Sequence, residues 1–137
     1  MFVDFDNYLK KSFSLDFWED EGISIAEEIL NSFSEDDWNS LINILSSREK
    51  AWRIRCANVL SEIEDENVID ILISIAITES LEVKLAALDS INSKLSLQSM
   101  SNNSISNLER LINTTPREGQ LIKIILNSLA SKISQLK

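Results

Sequence analysis

The sequence predicts an all-α fold of about eight antiparallel helices, and three observations carry that expectation. The 137 residues include two Gly and one Pro, the residues that tight hairpins and strand-ending turns consume. Apolar side chains recur at helical spacing, as in Trp52, Cys56, Val59, Leu60 and Ile63, which is the pattern of one buried helix face. The chain also repeats itself. A shift of 31 positions lays Leu41-Ile42-Asn43-Ile44-Leu45 over Leu72-Ile73-Ser74-Ile75-Ala76 and Trp52-Arg53-Ile54 over Val83-Lys84-Leu85, and it brings Cys56, Ala57 and Leu60 onto Ala87, Leu88 and Ile91. What repeats is a buried face.

The length and a hydrophobic fraction of 44% suit a single domain spanning residues 1–137, large enough to fold around its own core. In chain order, a short helix is expected near Asp4 to Phe13 and a second from about Asp20 to Phe33. Phe13, Leu15, Phe17 and Trp18 precede that second helix and are expected to cover the open N-terminal end of the stack. Ser34-Glu35-Asp36-Asp37 reads as a cap with an acid three places on, opening a helix to about Leu45. The next runs from about Arg48 to Ile63. Asn67-Val68-Ile69-Asp70 opens one to about Thr78, and Ser80 opens one to about Lys94. Residues 95–104, rich in Ser and Asn, read as the longest loop, because those side chains compete with helical backbone bonds. A helix from about Ile105 to Asn113 follows. Thr115-Pro116-Arg117-Glu118 opens the last, toward Ser134, with Pro116 at the first helical position. Links this short lay successive helices antiparallel, and the repeat then stacks the pairs into a short solenoid.

The stretch Arg48 to Asn92 resembles a HEAT repeat, with Arg53-Ile54-Arg55-Cys56-Ala57-Asn58-Val59-Leu60 and Lys84-Leu85-Ala86-Ala87-Leu88 as basic-led, Ala-containing amphipathic helices. It departs from the pattern at Trp52, where a small β-branched residue is usual, and lacks the helix-kinking proline. In size, acidity and helical format the chain is similar to the immunity proteins encoded beside contact-dependent-inhibition and other polymorphic toxins. That resemblance implies a cytoplasmic binding protein that neutralises a cognate toxin.

Composition argues against several chemistries. With no His in the chain, the commonest general base and every nucleophile–His pairing are missing. The single Cys56 has no disulfide partner and falls on an apolar stripe, where a thiol is a small hydrophobe. Arg53 and Arg55 nearby would lower its pKa if it were exposed. Gly22 and Gly119 stand alone, so no phosphate-cradling glycine loop is present. Glu62-Ile63-Glu64-Asp65-Glu66 alternates briefly but lacks the central Gly of a calcium loop. We therefore expect no enzymatic activity, no cofactor and no metal. The start Met1-Phe2-Val3-Asp4-Phe5-Asp6 lacks the basic, apolar pattern of a signal peptide, and no segment nears the ~20 apolar residues of a membrane span. A cytoplasmic location is expected.

Charge gives the functional clue. The net charge of −9 disfavours binding to nucleic acid or anionic lipid. Residues 1–70 hold 17 acidic and 6 basic side chains, whereas residues 71–137 hold 5 and 7. Acids at helix starts complement the helix dipole by about 0.3–1 kcal/mol each, so local stability accounts for part of this. The run Glu62, Glu64, Asp65 and Glu66 exceeds what a cap at Asn67 needs. The turns at 34–37 and 64–66 lie two turns apart and are expected to share one edge of the stack with the 95–104 loop. The expected partner-binding residues are Trp18, Glu19, Asp20, Glu35, Asp36, Asp37, Glu62, Glu64, Asp65 and Glu66. They would meet a basic toxin, a nuclease by this reasoning, in a 1:1 complex formed from a free monomer. Trp38 is expected in the core. The competing expectation is a HEAT-like adaptor that holds a helix or peptide of its partner on its inner face.

Overall fold

The computed structural model describes residues 1–95 and 100–136. Among them it is all-helical, with eight helices and no strand. Helix α1 is Phe2–Leu9. Helix α2 is one continuous run composed of Leu15–Phe17, a π-helical turn Trp18–Gly22 and Ile23–Asn31. Helix α3, Glu35–Ile44, tightens into a 3-10 turn over Leu45–Ser47. Then come α4 (Lys50–Leu60), α5 (Val68–Ala76), α6 (Leu81–Leu95), α7 (Asn102–Thr114) and α8 (Gln120–Leu136).

The even-numbered helices pack in succession, α2 on α4, α4 on α6 and α6 on α8. Opposite them, the turn after α3 contacts α5, and α5 contacts α7. Both copies of the repeat bury the same positions: Leu41 and Leu72, Trp52 and Val83, Cys56 and Ala87, Ala57 and Leu88, Leu60 and Ile91 are each buried in one continuous core. The match fails at Ile42, which is 45% exposed while Ile73 is buried. Central α5 has helices on more sides than α3 does. Trp38 lies in the core as expected.

Several boundaries differ from the sequence reading. α1 stops at Leu9, not near Phe13, because Arg55 Nη1 donates to the carbonyls of Leu9 (2.9 Å) and Lys11 (2.6 Å) and turns the chain there. α2 starts at Leu15, capped by the Ser14 hydroxyl accepting from the Phe17 N–H at 3.1 Å, so Leu15, Phe17 and Trp18 belong to the helix itself. Asn67 does not cap α5 with its side chain. Asp65 Oδ1 instead accepts from the Asn67 N–H and amide group. α7 begins at Asn102, because Ser101 caps it by accepting from the Ser104 N–H. The rest of the Ser/Asn loop, 96–99, lies outside the described residues. Pro116 closes α7 rather than opening α8. It holds Thr115 extended, as a residue before proline must be, and α8 starts at Gln120 after Gly119 at φ +85°.

The π-helical turn has a local cause. The Ile23 N–H reaches back to the Trp18 carbonyl, which makes room for the indole of Trp18 to lie over Gly22. A Cβ built on Gly22 would sit 2.5 Å from Trp18 Cε3. The ring is held by its Nε1 donating to Asn58 Oδ1 at 3.1 Å, on α4. Gly22→Ala therefore tests the packing against propensity. In an open helix the change would stabilise by about 1 kcal/mol, whereas overpacking costs about 1–3 kcal/mol. Net destabilisation is expected, read as a lower urea midpoint. A raised midpoint would refute the packing.

Candidate functional site

The acidic turns form from local capping chemistry, and each acid can be placed. At the start of α3, Ser34 and Asp37 make a reciprocal capping box: the Asp37 N–H donates to Ser34 Oγ at 3.2 Å and the Ser34 N–H to Asp37 Oδ2 at 2.9 Å. Asp37 Oδ1 also accepts from the Phe2 N–H at 3.0 Å, which fastens α1 to α3. These bonds, the one from the Ser34 backbone foremost, hold its carboxyl below the usual aspartate range. Asp37 is thus committed to the fold. Glu35 and Asp36 beside it are exposed and outside every ion pair found among the described residues.

Glu19 and Asp20 lie in the π-helical turn, exposed and likewise unpaired. Trp18, expected as an aromatic anchor next to them, is 4% exposed. It points inward because its ring must cover Gly22 and reach Asn58, so it offers no surface to a partner. The apolar side chain that does face solvent in this region is Leu15, 69% exposed.

The run after α4 has a counter-charge that the sequence reading missed. Lys94, near the end of α6, is 4% exposed, and its ammonium donates to the carbonyl of Ile63. Burial lowers its pKa, while the charges of Glu64 and Glu62 oppose that shift. Glu64 and Glu62 thus lie close enough to a buried cation to favour its charge, a role beyond capping at Asn67. Asp65 is spent on Asn67, and Glu66 alone of the run is exposed without such a role. The signal for Lys94 was present in the sequence. Ala87, Ser90, Ile91 and Lys94 fall on one helical face, and all four are buried.

The start of α5 meets the start of α7 through Ser104 Oγ donating to Asp70 Oδ1 at 2.8 Å. The start of α3 meets α1 through Asp37. No described hydrogen bond or ion pair joins residues 35–37 to 62–66; Asp37 is bonded to α1 and Asp65 to Asn67.

A second polar cluster lay beyond sequence reasoning because its members are 42 positions apart. Arg48 donates Nε and Nη2 to the two carboxylate oxygens of Asp6 at 2.9 and 2.7 Å, and Lys10 stands 3.3 Å away. Burial alone would raise the Asp6 pKa. The hydrogen bonds and charges of Arg48 and Lys10 outweigh it and hold the carboxyl low, and the same bond raises Arg48. Cys56 is fully buried and burial pushes its thiol up, so the neighbouring arginines do not activate it. Among the described residues no group of His, Cys, Asp or Glu side chains is placed to hold a metal ion. No described helix is long and apolar enough to cross a membrane.

Asp6→Asn is expected to cost about 1.5–3 kcal/mol at neutral pH, the range for hydrogen bonds to charged groups. The folded carboxyl titrates below its unfolded value of about 3.9, so the stabilisation is present above that value. It is lost as pH falls through the lower folded pKa. Urea titrations of both proteins should differ at neutral pH, and the gap should close as pH falls through the lowered folded pKa of Asp6. A gap that persists in acid would sink this account.

Compared with known proteins, the chain matches no family model, no curated protein sequence and no solved structure.

Proposed function

We propose that this chain is an immunity-type inhibitor, a short HEAT-like stack of helix pairs that binds one basic protein toxin 1:1 and silences it by occlusion. The observation that supports this reading best is the set of exposed acids without a cation partner among the described residues, Glu19, Asp20, Glu35, Asp36 and Glu66. Capping explains acids at these turns. It does not explain so many left unneutralised in a protein of net charge −9. Such a surface attracts a basic partner over long range and fits the groove with which a nuclease grips phosphates. Leu15, one turn before Glu19, supplies an apolar contact beside the charge. Occlusion asks for no catalytic group, so the lack of His and the inert Cys56 are no obstacle. The cytoplasm is the compartment in which such an inhibitor meets an incoming nuclease.

A second reading, an adaptor that holds a peptide or helix, is favoured by the groove between α5 and α7. It has a volume of about 470 Å³, with Ile73, Ile77 and Leu111 among its lining residues and Ile77 71% exposed.

Co-purification with a basic protein encoded beside this chain separates the two. Changing Glu35, Asp36 and Glu66 together to Lys should weaken the complex about tenfold or more at low salt, chiefly through slower association. Ile77→Glu should leave it unchanged. Unaltered low-salt affinity in the triple variant would reject the acidic surface, and loss of binding in Ile77→Glu would favour the adaptor.

A further inference from the structure

We propose that copies of this chain associate head to tail, the outer face of α8 on one copy seated on the outer face of α2 on the next. α2 and α8 are the two ends of the even-numbered row, so each has a neighbour from that row on one side only, whereas α4 and α6 have one on both. The end units of a helix stack stay soluble by presenting a polar outer face. Both ends here leave large apolar side chains in solvent, and their charges are opposite.

The 17 residues of α8 include Lys123 and Lys132 and no acid. Its buried stripe is Ile122, Leu126, Leu129 and Ile133. Away from that stripe Leu121 is 64% and Ile124 55% exposed, and Asn127, Ser131 and Ser134 continue the exposed side without a charge. Lys132 is held by the Asn92 carbonyl. The exposed ammonium of Lys123, set between the two apolar residues in the chain, has no described hydrogen bond or ion pair. This face therefore offers apolar surface and one free cation.

α2 offers the converse. It carries Asp16, Glu19, Asp20, Glu21, Glu27 and Glu28 and no base, and none of these acids is in an ion pair found among the described residues. Asp16 stands three and four places before Glu19 and Asp20, a spacing at which like charges destabilise a helix. A cation facing them relieves that repulsion. Exposed among these acids are Leu15 and Ile25, and Ile25 lies one turn from both Glu21 and Glu28.

The occupant that complements each end is thus carried by the chain itself. Residues 71–137 hold 7 bases against 5 acids and residues 1–70 hold 6 against 17, so an end-to-end contact sets the basic-leaning half of one copy against the acidic half of the next. Pairing α2 with α2 would set six acids against six, and pairing α8 with α8 would set Lys123 against Lys123. Charge complementarity selects the head-to-tail arrangement. Glu19 and Asp20 also belong to the acids proposed above to meet a toxin, so a stacked copy and a toxin would compete for them.

The test is sedimentation equilibrium of the full chain up to about 1 mM, with a Kd of about 0.1 mM expected for a small contact. The average mass should rise past that of a dimer, because a head-to-tail contact leaves a free end on every complex. Leu121→Ser with Ile124→Ser strips the apolar face of α8, and Glu19→Lys with Asp20→Lys reverses the charge of α2, all at exposed positions. Each double variant should associate about tenfold more weakly or less, and Lys123→Gln, which removes no apolar contact, about threefold more weakly. An equimolar mixture of the two double variants should form a complex that stops at two chains, since it contains one competent α8 face and one competent α2 face. A monomer at every concentration, a wild-type mass that levels off at a dimer, variants that associate as the wild type does, or double variants that fail to pair when mixed would overturn the proposal. None of these variants alters Glu35, Asp36 or Glu66, so failure here leaves the toxin-binding test of those residues standing.

Discussion

Every helix of this protein has to end, and the chain has almost no glycine with which to end it. A helix leaves its last carbonyls without partners, and the usual remedy is a residue in the left-handed conformation just past the end. Gly119 is the one described residue at such a φ, and it precedes α8 instead of closing a helix. Backbone N–H groups of the next turn meet part of these carbonyls, as Phe33 does Leu30 and Ile63 does Leu60, and side chains meet others. Ser32, Ser47, Ser61 and Thr115 fold their hydroxyls back onto Glu28, Ile44, Asn58 and Leu111. Cations from other helices reach further carbonyls, Arg55 on Leu9 and Lys11, Lys94 on Ile63 and Lys132 on Asn92. A cation at a helix C-terminus also opposes the dipole. Closing one helix thus fixes its distance and rotation relative to another, and the packing of apolar faces proceeds within that frame.

This division explains what was legible in the sequence. Apolar periodicity is a short-range signal, so the positions that pair at a spacing of 31 all emerge in the core, and so does the Ser34–Asp37 capping box, which is written in four consecutive residues. Pro116 was misread because proline is equally at home at a helix start and just past a helix end. The choice depended on Thr115, whose hydroxyl reaches Leu111 and finishes α7. Asn67 was misread for a similar reason: Asp65, two places earlier, was better placed to use its own side chain. The long-range polar bonds left no local trace. Nothing near Arg48 announces Asp6, and nothing near Trp18 announces Asn58.

The same reasoning reshapes the acidic half. Of the acids expected to face a partner, Asp37 and Asp65 are occupied by backbone and side-chain donors, and Glu62 and Glu64 stand by the buried Lys94. Charge density in a sequence overstates charge on offer, since some of the acids are engaged by backbone donors at helix starts. What remains, Glu19, Asp20, Glu35, Asp36 and Glu66, is smaller and split between separate turns. Trp18 shows the converse error. An aromatic beside acids resembles an interface anchor, but its neighbour four residues on is Gly22, and a bare glycine under a large ring is a packing signature.

Helix α6 has a further consequence for how the molecule comes apart. It donates to α4 through Ser90 on the carbonyl of Ala57 and beyond α4 through Lys94 on Ile63, and at Asn92 it receives both Ser128 and Lys132 of α8. Stacked pairs that touch through apolar faces alone can fray from an end, one unit at a time. Here the middle helix holds polar bonds in both directions, all of them toward its C-terminal half. Releasing α8 breaks the bonds from Ser128 and Lys132 to Asn92, and releasing α4 breaks the bond from Ser90 to Ala57. The helices on either side of α6 are therefore tied to it by directional bonds as well as by apolar packing, so separating either of them from it costs both.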